Sequence, residues 1–138
     1  MKYCLAFFLL ILSSGALGQK PTLKIEVVGF ESDKGVARIG VYNSKEDFGK
    51  EGKQVRGYLV KIENKKAYIE VKDLPKGWYA IAAYHDLNDN GKLDKNFMGV
   101  PSEVYGFSRD ARATFSAPDY ADAVFQLEGE VLQKFMLN

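Results

Sequence analysis

The densest chemistry in this sequence lies in ten consecutive residues, His85 to Asp94, which read HDLNDNGKLD. Asp86, Asn88 and Asn90 stand two apart, Gly91 follows, and Asp94 closes the run after Lys92 and Leu93. Calcium is a hard cation that takes six to eight oxygen ligands at about 2.3–2.6 Å. A chain can wrap it when alternate residues carry short oxygen side chains and a glycine permits the sharp turn after the third. On an EF-hand-like frame, Asp86, Asn88 and Asn90 take positions one, three and five, and Gly91 takes six. Lys92 supplies a backbone carbonyl at seven and Asp94 a ligand at nine. The twelfth position, where such loops carry a bidentate glutamate, is Phe97. A calcium ion here therefore needs another acid to complete its shell, and Glu103 is the candidate, with Asp89 behind it. The flanking helices of an EF-hand are missing, because the loop follows a strand.

The competing reading of the same residues is a plain turn. Asn90-Gly91 is a strong hairpin signal on its own, and Asp and Asn are common in loops. A hairpin needs only two such residues, however, and five matched positions are expected by chance in about one chain in several thousand. Downstream, GVPSEVYGFSRDA (Gly99 to Ala111) adds Tyr105 and Phe107. With Phe97 and Met98 these aromatics either cover the core beneath a long loop or line a recognition surface.

Catalytic patterns are weak. His85 is the only histidine, and its neighbour Asp86 points to the opposite face of the same strand, so the two cannot form a relay with Ser102 or Ser108. His85 is expected to pack at the rim of the fold. No glycine-framed nucleophile, phosphate loop or dinucleotide fingerprint is present, and no carboxylate pair stands out beyond the Asp/Asn loop.

The elements that must position the loop read as strands. From Thr22 onward the apolar residues have period two, with turn residues at short intervals. Strands are expected at Leu23–Val27, Val36–Tyr42, Gln54–Ile62, Ala67–Lys72, Trp78–His85, Ala121–Leu127 and Val131–Leu137. The fifth is apolar on both faces and reads as a central strand covered on both sides. Residues 86–119 show little periodicity, and a stretch of that length inside a compact domain is expected to be functional or ordered by a ligand. The fold class that results is all-β: an immunoglobulin-like or transthyretin-like Greek-key β-sandwich of about seven strands with one long ordered loop.

The first residues belong to a different class of segment. Lys2 precedes the apolar run Cys4 to Leu12, and Ala16-Leu17-Gly18 places small residues where a signal peptidase cuts. Residues 1–18 are expected to be a signal peptide and 19–138 a single β-sandwich domain. The chain is then exported, to the periplasm or beyond, with no transmembrane anchor after cleavage. Of 138 residues, 120 remain after the cut. Losing Lys2 balances the 18 acidic residues with as many basic ones, so nothing favours nucleic acid as a partner. The single cysteine, Cys4, is lost as well, which removes disulfides and zinc-thiolate sites.

Several motifs, taken in order, resemble the bacterial domain-of-unknown-function 2141 family. They are LPKGWYA (Leu74 to Ala80), HDLNDNGKLD, FMGVPSEVYGFS, Ala117-Pro118 and ADAVF (Ala121 to Phe125). The resemblance runs from about Leu23 to Leu137. It implies a secreted or periplasmic location and no defined activity. Locally, Leu74 to Tyr79 is similar to the turn of Cna B-type and transthyretin-like modules, and Asp86 to Asp94 to the calcium loops of adhesin B repeats. The second likeness implies that Asp86, Asn88, Asn90 and Asp94 are metal ligands and that Lys92 gives a carbonyl. Those repeats carry a further acid just downstream, where this chain has Lys95-Asn96-Phe97.

The sequence thus reads as a secreted, non-catalytic module with a calcium loop and an envelope or extracellular binding partner of unknown identity. The alternative is a small hydrolase or small-ligand carrier using the aromatic end near Tyr84, Tyr105 and Phe107.

Overall fold

The structure, a computed structural model, describes residues 18–138, so the expected signal peptide lies outside the described residues but for Gly18. Eight strands occur among the described residues: β1 (Thr22–Val28), β2 (Val36–Tyr42), β3 (Arg56–Val60), β4 (Lys66–Val71), β5 (Gly77–Asp86), β6 (Tyr105–Phe107), β7 (Phe125–Leu127) and β8 (Glu130–Met136). They form two sheets. One has the order β4-β1-β8, and the other β3-β2-β5-β6, with β7 also paired to β5. All pairs are antiparallel except β1 with β8, which run parallel. The architecture is an all-β sandwich.

Alternation explains the packing. In β1 the side chains of Leu23, Ile25 and Val27 are fully buried, while Lys24 and Glu26 between them are not. In β2, Ala37, Ile39 and Val41 do the same from the opposite sheet. These two inner faces, with Val71, Phe125, Leu127 and Phe135, make the main core. Burying such side chains contributes roughly 1.5–3 kcal/mol each relative to exposure, which is what holds two sheets together without disulfides.

The ten-residue β5 is the central strand. Its inner side chains Tyr79, Ile81 and Ala83 join the main core. On its outer face Ala80 sits in a second, smaller cluster with Phe107, Ala111 and Ala123, against which Phe48 and Tyr120 pack. Trp78, at the start of the strand, stays more than half exposed and takes no part in that cover.

Three details depart from the sequence expectations. The third strand is shorter, covering Arg56–Val60 and leaving Gln54, Val55, Lys61 and Ile62 outside it. Residues 121–123 form one turn of helix, α1 (Tyr120–Ala123), before the short β7. There Ser108 bridges two backbones: its hydroxyl donates to the Ala123 carbonyl at 2.6 Å and accepts from the Ile81 N–H at 2.9 Å. Thirdly, the stretch read as structureless contains β6, which pairs Tyr105 with Tyr84 and Phe107 with Ala82.

Candidate functional site

The Asp/Asn loop begins where β5 ends. Asp86 is the last residue of the strand, and its side chain, on the outer face, is fully buried. Its carboxylate winds the loop. One oxygen accepts the Asn90 N–H at 3.0 Å, and the other accepts the Gly91 N–H at 2.9 Å. That second oxygen also takes the Nε–H of Arg38, at 2.5 Å. Arg38 comes from the neighbouring β2, and its Nη2 reaches on to Asp89 at 3.0 Å. Burial acts to raise the Asp86 pKa. The Arg38 hydrogen bond and the two N–H groups outweigh it and hold the carboxyl below the ordinary 3.8.

Backbone conformation serves the same winding. Asp89 (φ 52°) and Gly91 (φ 81°) lie in the left-handed region, which reverses the chain within five residues of the strand. Gly35, in the turn between β1 and β2, presses on the loop's start. A Cβ there would stand 2.1 Å from the Asp86 carbonyl oxygen.

The other predicted residues divide into two roles. Glu103, nearly buried, accepts the Leu87 N–H on one oxygen and the Asp94 N–H on the other, both at 3.0 Å. It therefore clips the two ends of the ten-residue loop together. Asp94 is the point of convergence: the side-chain amides of Asn88 and Asn90 donate to its two oxygens, each at 2.8 Å. The Asn90 side-chain oxygen accepts the Lys92 N–H at 3.0 Å. Asn88, Asn90 and Asp94 thus meet one another. Asp86 and Glu103 each face backbone N–H groups at the loop's base. Among the described residues no cluster of three or more His, Cys, Asp or Glu side chains is placed to hold a metal ion.

The farther arm is built in the same way. Asn96 accepts the N–H groups of Met98 and Val100, and Ser102 returns to the Asp94 carbonyl through both its N–H and its hydroxyl. This leaves Phe97 and Met98 projecting into solvent.

His85, the residue before the loop, is not at an exposed rim. It is buried, its Nε2 lies 2.7 Å from the Lys34 carbonyl, and its ring meets Phe30 edge-on. Its Nδ1 has no hydrogen-bond partner among the described residues.

Sequence reasoning missed Arg38. The available signal was its outward position in β2 between Ala37 and Ile39. Only the pairing of β2 with β5, however, puts it beside Asp86.

Strand order, burial and loop define a small β-sandwich domain whose central strand runs into a side-chain-wound Asp/Asn loop. Residues 25–134 match the profile of a family described as uncharacterized protein conserved in bacteria (DUF2141), and the chain belongs to that family. No curated protein and no solved structure matches it.

Proposed function

We propose that this chain is an exported, non-catalytic binding module whose Asp86–Asp94 loop takes up calcium. The observation that carries the reading is the meeting of Asn88 and Asn90 on the two oxygens of Asp94. Rotating an asparagine amide by a half-turn exchanges its nitrogen for its oxygen. With the amides so turned, at the expense of the Lys92 N–H bond to Asn90, three oxygen-bearing groups converge where a hard cation can replace the amide hydrogens. Asp86 Oδ1 accepts a single N–H and so keeps a second lone pair. The Lys92 carbonyl is the expected backbone ligand.

The affinity expected is modest. Arg38 already compensates Asp86, and Glu103 is engaged by two N–H groups, so Asp94 is the main source of uncompensated charge. That places the site in the roughly 10⁻⁴–10⁻³ M range of extracellular modules. The non-catalytic part of the reading is supported by His85, sealed between Phe30 and the Lys34 carbonyl.

The test is thermal melting across a calcium titration. Millimolar calcium should raise the melting temperature, magnesium should do so less, and chelator should reverse the gain. Asp94→Ala should abolish the response while leaving the fold intact, since Asp94 receives only exposed side-chain amides. A melting temperature indifferent to calcium and chelator would overturn the reading.

A further inference from the structure

The outer face of the second sheet is not flat. A cleft of about 1000 Å³ lies over it, walled by the loop after β2, the Asp/Asn loop and the segment before α1. Its size is at the upper end of the range for sites that enclose small ligands, about 300–1000 Å³. The strand register explains why it is deep. Gly57, Gly40 and Ala82 are consecutive neighbours across β3, β2 and β5, so over these three strands the row carries no side chain beyond Cβ, and it ends at Phe107 in β6. Glycine inside a strand weakens it and often marks close approach by another group. Two of these positions admit the protein's own groups: a Cβ on Gly40 would come within 3.0 Å of the Tyr42 ring, and one on Gly57 within 3.2 Å of the Gln54 amide. Ala82 remains partly open.

Beside this floor stands an aromatic shelf. Tyr84 and Tyr105 are direct partners across β5 and β6, both half-buried and both lining the cleft. Partial burial pushes the Tyr84 hydroxyl up to about 12, so it stays a neutral donor and acceptor at any physiological pH. Around the shelf are Gln54, Glu51 and Lys95. The formal charges nearly cancel: Arg38 with Asp86 and Asp89 leaves one negative charge, and Lys95 and Glu51 carry one charge of each sign. The rim is apolar on three sides, with Leu59, Val100 and Phe115 exposed.

We infer that this cleft binds an uncharged oligosaccharide. A sugar chain presents flat, apolar ring faces together with many hydroxyls. It therefore needs aromatic faces interleaved with amide, carboxylate and phenol groups and no strong charge of either sign. A lipid chain fits the same volume poorly, because Gln54, Glu51 and Lys95 would lose water along its path without gaining partners. The assignment goes beyond calcium uptake and does not depend on it, although the Asp/Asn loop forms one wall through Gly91 and Leu93.

The experiment is calorimetric titration of the purified chain with cellohexaose, laminarihexaose, maltohexaose and chitohexaose, in calcium and again in chelator. The dye N-phenylnaphthylamine serves as the apolar probe. At least one sugar should bind in one of the two buffers. Ala82→Leu, which fills the floor, and Tyr84→Ala, which removes half of the shelf, should each weaken it roughly tenfold or more. Melting curves check that both variants fold, and Tyr84→Ala decides if Ala82→Leu does not. The inference is overturned if no sugar binds in either buffer, if binding survives in the folded variants, or if the dye binds and the sugars do not. The calcium melting shift is read separately, so failure of one proposal does not resemble failure of the other.

Discussion

The two faces of β5 are built from one ten-residue run of backbone and behave as different materials. The inner face, Tyr79, Ile81, Ala83 and His85, is closed against the β4-β1-β8 sheet and holds the sandwich together. The outer face, Ala80, Ala82, Tyr84 and Asp86, begins in a small aromatic cluster, opens into the cleft and ends in a buried carboxylate bound to Arg38. Period-two geometry alone separates them. Stability is concentrated on the face where contact is mainly apolar. Small and polar residues accumulate on the other, where the strand neighbours contribute glycine, arginine and tyrosine.

The largest expected effect tests the inner face. Ile81 is fully buried in the main core. Ile81→Ala should reduce unfolding free energy by about 2–5 kcal/mol, the sum of lost transfer energy and a residual cavity. Chemical denaturation measures it. A loss below about 1 kcal/mol would mean the inner face is not the stabilising one, and the comparison would fail there.

Next in size is Asp86, the buried charge of the outer face. Asp86→Ala leaves the Arg38 guanidinium and the N–H groups of Asn90 and Gly91 without their acceptor. Removing one member of a buried pair costs about 3–5 kcal/mol. Arg38 is a quarter exposed, so water compensates it in part, and roughly 2–3 kcal/mol is expected. The wild-type chain should show the same contribution through pH. The folded Asp86 pKa lies below 3.8, so its contribution is complete above that value and disappears as pH falls through the folded pKa. Denaturation midpoints compared at neutral pH and below pH 3.8 should therefore converge for wild type and Asp86→Asn. A constant gap across that window would show that Asp86 acts by shape and not by charge.

The same contrast explains what could be read from the sequence. The inner face was legible because burial writes a local pattern: Leu23-Ile25-Val27 and Ala37-Ile39-Val41 alternate without interruption, and the doubly apolar Trp78–His85 run marked the central strand. The family resemblance, too, rested on motifs that are contiguous in the chain. The outer face was illegible wherever its meaning depended on register. Arg38 looks like an ordinary outward charge until β2 is set against β5. Gly57, Gly40 and Ala82 are 17 and 42 residues apart along the chain and become a row only through pairing. β6 spans three residues, too few to establish a period, and the four residues of α1 carry an Ala-Asp-Ala alternation that one helical turn and a short strand share. Within the Asp/Asn loop, composition marked residues whose side chains the structure joins by hydrogen bonds. Their division into a winding carboxylate (Asp86), a clip (Glu103) and a meeting point (Asp94) depends on which N–H each oxygen faces.

The smallest effect belongs to the rim of the cleft and sharpens the contrast from the other side. Phe115 is 99% exposed, although it is a large apolar side chain. Phe115→Ser removes almost no buried area, so the unfolding free energy should change by no more than about 0.5 kcal/mol. Ile81→Ala removes a smaller group at several times that expense. If Phe115→Ser instead destabilised the fold by more than about 1 kcal/mol, the ring would have to pack onto the sheet in solution. The cleft would then be covered by the protein's own chain, and the outer face would become a second core like the inner one. If stability is unchanged, the exposed ring on the rim is available to a ligand without compromising the sandwich beneath it.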